Sequence, residues 1–187
     1  ENKQLCRKYL EMAEKTKKSF DEKFYNAGKH CLYDVLGDSK VRPNQLFALS
    51  LSHPIVDNAK IAEQVLNTVE NKLLNRYGLQ TLSSDEEGYV DVYEGSAYNR
   101  DSSYHQGITW PWLLGLYYDA LKNTMIIEKN RTKRQELEEK ITNLVDTTKE
   151  TFKAEMFERS SIGTISEIYD STEPYEERGA FAQAWSV

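Results

Sequence analysis

Residues 57–74, DNAKIAEQVLNTVENKLL, decide the class of the fold. Ile61, Val65, Val69 and Leu73 recur every four positions with charged residues between them. That spacing lays an apolar stripe along one face of a helix. Asp57 is placed to cap the start, and Gly78 in RYGL stands where a helix stops. Working outward, the same one-sided pattern returns at 131–157, where Leu137, Ile141, Leu144, Thr148, Phe152 and Met156 share a face. It returns again at 3–20 with Leu5, Tyr9, Ala13 and Phe20.

Between these charged helices lie three others. One is expected at about 43–51, starting in RPNQLFALSL, and one at 109–123, with Pro43 and Pro111 tolerated in their first turns. The third is expected at about 179–187 and holds AFAQAWSV, residues 180–187. Each is reached through a loop rich in Arg, Asn, Gln, Trp and Tyr. Residues 24–40 read as turns with one or two short strands, 79–104 as a long loop punctuated by Gly88 and Gly95, and 159–179 as a second loop. Polar outer helices alternating with inner ones predict an all-α chain of stacked αα-hairpins, three pairs forming an arc.

Composition narrows the function. The chain has 187 residues, a formal net charge of -6 and 39% hydrophobic residues, enough for one domain with a real core. An acidic chain is a poor partner for phosphate backbones, so no nucleic acid is expected. No apolar run approaches the roughly 20 residues of a membrane span, so no membrane is expected either. Two cysteines, Cys6 and Cys31, with no CxxC fit a reduced, cytoplasmic protein and leave open whether they pair. Tyrosine outnumbers phenylalanine 12 to 6, and tyrosine joins an apolar body to a polar tip, suiting surfaces that bind polar ligands.

The sequence has no GxSxG, no GxxxxGK[ST] and no GxGxxG. His30, His53 and His105 have no ligand-pair spacing, so no metal and no cofactor are expected. What remains is a polar-aromatic set on the loops. Arg42, Asn44 and Gln45 offer donors and acceptors suited to hydroxyl groups, although helix capping would also explain them. In RDSSYHQGITWPW, residues 100–112, Trp110 and Trp112 can cover sugar C–H faces while Arg100, Asp101, His105 and Gln106 meet hydroxyls; the tryptophans would also serve as core. Glu167 lies between Ile165 and Ile168, where apolar surroundings would shift its pKa and let the carboxylate act as general base, although a loop glutamate would also simply be solvated. RGAFAQAW adds Arg178, Gln183 and Trp185.

RPNQLFALSL, YGLQTLS, RDSSYHQGITWPWLLG, ISEIYD and RGAFAQAWSV follow one another from residue 42 to the end of the chain. In that order they resemble the C-terminal amylo-α-1,6-glucosidase domain of glycogen debranching enzymes. The resemblance runs from about Tyr33 onward. It implies an (α/α)6 toroid, of which this chain would be about half, and hydrolysis of the α-1,6-linked glucose stub at a glycogen branch. Inverting glycosidases pair a carboxylic acid, which protonates the leaving oxygen, with a carboxylate that activates water, roughly 6.5–9.5 Å apart. Glu167 falls where the family places its base. Arg42, Asn44, Gln45, His105, Gln106, Trp110 and Trp112 would line the sugar subsite, with an α-glucan as the partner. The family's acid is an aspartate in a Thr-Trp-Met-Asp segment, which this sequence lacks. Residues 1–187 are therefore expected to be a single partial domain, cut at both ends, inactive alone and prone to self-association. A non-catalytic α-glucan-binding module, or a helical interaction module with core tryptophans, would show the same aromatic loops.

Overall fold

The computed structural model describes residues 2–159 and 163–186, apart from the Trp185 side chain. Six α-helices carry the fold: α1 (Asn2–Lys23), α2 (Phe47–Ser50), α3 (Ala59–Lys72), α4 (Ala97–Ser103), α5 (Leu113–Ile127) and α6 (Arg131–Ala154). At their centre is α5, which buries Leu113, Leu114, Tyr117, Ala120, Leu121 and Thr124 and packs against α2, α3 and α6. Fully burying one such leucine contributes about 1.5–3 kcal/mol. Residues 128–130 connect α5 to α6, so these two form an αα-hairpin of the kind the sequence predicts.

The long helices stand close to their expected places. The stripe of α3 buries Ala62, Val65, Leu66 and Val69. Its cap is Asn58, not Asp57: the Asn58 carboxamide oxygen accepts from the N–H of Lys60 at 3.0 Å and of Ile61 at 3.2 Å. Asp57 instead pairs with Lys17 at 3.0 Å. Asn130 caps α6 in the same way, and Leu137 and Phe152 are buried while Ile141, Leu144, Thr148 and Met156 are half-buried. Lys133–Glu63 and Lys140–Glu70 tie α6 to α3.

Elsewhere the structure corrects the expectation. The helix at 43–51 is a 3-10 turn, Pro43–Leu46, followed by the single turn of α2. The stretch 79–104 contains α4, capped by Ser96. The helix expected from Thr109 starts at Leu113, because Thr109–Trp110 form a strand. The helix at 179–187 reduces to a 3-10 turn, Ala184–Ser186; residue 187 is outside the described residues. The apolar stripe of α1 meets no partner before Phe20, and no residue of α1 is buried.

The fold is mainly helical but also carries short strands. Tyr25–Asn26 (β1) pairs with Cys31–Leu32 (β2), within the stretch expected to hold short strands. Leu74–Asn75 (β3), Gly78–Gln80 (β4), Thr109–Trp110 (β5), Ile168–Tyr169 (β6) and Glu177–Arg178 (β7) form an antiparallel sheet in that spatial order. A Cβ on Gly78 would collide with the carbonyl of Trp110, so glycine is needed where β4 starts against β5. This sheet joins segments far apart in sequence and builds the site. Cys6 is exposed and Cys31 buried, both as free thiols. No helix among the described residues is long and apolar enough to cross a membrane.

Candidate active site

Glu167 immediately precedes β6. Its N–H donates to the Ala180 carbonyl at 2.8 Å, extending the β6–β7 pairing. Ile165 and Ile168 are buried on either side, as expected, and Glu167 is itself only 9% exposed. A carboxylate at that depth must have its oxygens bonded. Oε2 accepts from the Ala180 N–H at 2.9 Å, and Oε1 accepts from the Tyr104 hydroxyl. The chain can close this tightly because residue 179 is glycine. Its φ is +70°, and a Cβ there would stand 2.5 Å from Oε2.

Tyr104 ends α4, its N–H donating to the Arg100 carbonyl at 3.0 Å. Aromatic rings surround it: Tyr93 at 5.7 Å, His105 at 4.8 Å and Trp110 edge-on at 4.7 Å. His105 stacks on Trp110 at 5.3 Å, and the Trp110 indole N–H donates to the Tyr104 carbonyl at 3.2 Å. Burial, followed by the bond to Glu167, pushes the Tyr104 phenol well above its ordinary range. Burial and then the Arg42 charge push the His105 imidazole down, favouring its neutral form.

The other sequence-selected residues divide into those the fold gathers and those it does not. Arg42 reaches three acceptors, the Thr81 carbonyl at 3.1 Å, the His105 carbonyl at 2.8 Å and the Gln106 side-chain oxygen at 3.0 Å. Gln45 is buried, accepting from the Leu32 N–H at 3.1 Å and donating to the Arg42 carbonyl at 2.8 Å. Both therefore serve the backbone that frames the site. Trp110 is buried in β5, while Trp112 is half-buried against Phe47 at 6.4 Å. Arg100 and Asp101 lie on the exposed side of α4, Arg100 donating to the Gly95 carbonyl at 2.7 Å. Asn44 is exposed in a separate groove with Phe20, Phe24 and Phe47. Gln183 lies near Glu167 through its N–H to the Ile165 carbonyl at 3.3 Å. The Trp185 side chain lies outside the described residues.

Three contributors escape a reading of sequence alone. Tyr104 and Gly179 meet Glu167 only after the sheet has formed. Asp170 is buried, accepting from the Tyr93 N–H at 2.8 Å and from Arg178 at 3.0 and 2.8 Å, and so locks the β6–β7 hairpin to the loop before α4. The Asp170–Arg178 spacing across a turn bearing Pro174 is the one local signal for that pair. A carboxylate oxygen has two acceptor positions, and among the described residues each Glu167 oxygen takes one hydrogen bond, which leaves acceptor capacity that a water molecule could use. Such a group can receive a proton from that water. Against known proteins, the model that describes amylo-alpha-1,6-glucosidase matches residues 2–187, and the chain belongs to that family.

Proposed function

We propose that Glu167 is the general base of an inverting α-1,6-glucosidase site acting on the glucose stub of a glycogen branch. The observation that carries this reading is a buried carboxylate fixed through both oxygens beside a cluster of aromatic rings. Glu167 accepts a proton from water as the water oxygen attacks the anomeric carbon. The glycosidic C–O bond breaks, and the leaving oxygen takes a proton from a separate carboxylic acid. The sequence has no Thr-Trp-Met-Asp segment, so in this reading the acid comes from outside these residues and the chain alone is inactive. The α5–α6 hairpin is then one pair of a helical toroid that further hairpins complete.

In this reading His105, Gln106, Trp112 and Gln183 meet the α-glucan, while Arg42, Gln45 and Trp110 hold the frame, Arg42 also bonding the Gln106 side chain. Glycogen breakdown implies a cytoplasmic protein. In the full-length protein carrying this chain, Glu167→Gln is expected to reduce glucose release by about 10²–10⁴-fold while α-glucan binding persists. Turnover like the unsubstituted protein would remove Glu167 from the role.

A further inference from the structure

We infer that Tyr104 is the positioning residue for Glu167, its hydroxyl fixing one carboxylate oxygen so that the free acceptor positions point where the attacking water sits. The inference rests on the base role given to Glu167 above.

A glutamate side chain has three rotatable bonds, so burial of its stem does not by itself aim its oxygens. Here each oxygen has its own donor. The Ala180 N–H belongs to the β6–β7 pairing and is fixed with it. The second donor must come from another part of the chain, and it is the Tyr104 hydroxyl, 63 residues away in sequence. Two donors on opposite oxygens set the plane of the carboxylate, where one would leave it free to swing. Gly179 closes the remaining space, since any Cβ there would push Oε2 off its donor.

Tyr104 is itself held firmly. Tyr93, His105 and Trp110 enclose its ring, and its own carbonyl receives the Trp110 indole N–H. The aromatic density of residues 100–112 therefore serves first to place one phenol. Burial and then the bond to Glu167 push that phenol up, so it stays protonated and remains a donor. Displacing a reacting group by about 1 Å costs on the order of 10²-fold in rate, which gives the orientation its value.

The test uses steady-state glucose release by the full-length protein with Tyr104→Phe, Glu167→Gln and the double variant. Tyr104→Phe is expected to lower kcat roughly 10- to 100-fold with KM within about twofold. In the Glu167→Gln background the same change should cost almost nothing further, because the group being oriented is gone. An unchanged kcat in Tyr104→Phe, a loss confined to KM, or an equal loss in both backgrounds overturns the inference and leaves Glu167 in place. Full turnover in Glu167→Gln overturns both. A second measurement covers a Tyr104→Phe protein that fails to fold. With ¹³C-labelled tyrosine, the Tyr104 Cζ resonance should move when Glu167 becomes Gln; an unmoved resonance overturns the inference.

Discussion

Arg42 shows how a residue chosen for ligand chemistry can also hold the frame. Its guanidinium is a planar fork of five donors, and three acceptors from two separate segments converge on it, at Thr81, His105 and Gln106. A lysine presents a point charge and cannot reach the same set. Arg42→Lys is expected to destabilise the ligand-free protein by about 1–3 kcal/mol, the cost of leaving part-buried acceptors unpaired. Thermal unfolding without sugar measures it. A residue that touched only sugar would give the opposite result, a raised KM with unfolding unchanged. Arg42→Gln carries a second expectation. The Arg42 charge is one of the two forces pushing His105 down, so the imidazole should titrate closer to its ordinary range, which NMR reads directly.

At the scale of elements, the β6–β7 hairpin owes its place to the end of α6. There the helix widens into a π turn, Glu155–Arg159, and Glu155 is fully buried. The Tyr169 hydroxyl donates to Glu155 Oε1 at 3.0 Å and accepts the Ser166 N–H at 3.3 Å, one residue before Glu167. Glu177 from β7 and Arg159 face the same carboxyl, and Arg159 also bonds the Tyr77 hydroxyl. Burial pushes the Glu155 carboxyl from 4.5 up to about 7, with the Tyr169 bond opposing and Glu177 adding to the rise. Between those values the folded protein holds a proton that the unfolded chain has lost. Stability therefore falls as pH rises from about 4.5 to 7 and levels off above that. Glu155→Gln, which mimics the protonated group, should raise the unfolding midpoint at pH 8 by the equivalent of about 1–3 kcal/mol and leave it unchanged at pH 4. An equal gain at both pH values would exclude the titration as its cause. The same elements show what sequence can reveal. The stripes of α3 and α6 span several turns, so their period is legible, and Glu167 between two isoleucines could be picked out. Strands of two or three residues are too short to display an alternation. Thr109–Trp110 therefore read as the start of a helix, and the pairing that brings Tyr104 to Glu167 left no mark in the local pattern.

For the whole molecule, the core is uneven. It centres on α5, where Ala120 and Leu121 are completely buried, and it thins toward α1. Among the described residues, the end of α1 meets the rest through Phe20, whose ring stacks on Phe24 at 4.8 Å, and through Lys17 to Asp57. Farther out, Leu5, Tyr9 and Met12 stand on one side of the helix at 48%, 59% and 53% exposure. A helix with an apolar stripe and no buried residue contributes little to folding but exposes surface that water disfavours. Two outcomes follow together. Removing residues 1–14 should shift the unfolding midpoint by less than about 2 °C, because a domain of this size loses roughly 2–4 °C per kcal/mol and no buried contact goes with them. Sedimentation velocity should show the 187-residue chain associating as its concentration rises, and the shortened chain remaining monomeric. A shortened chain that still associates would move the contact to other exposed apolar side chains, such as Phe157 and Phe181. A large drop in midpoint would mean that α1 is held by more than its last turns.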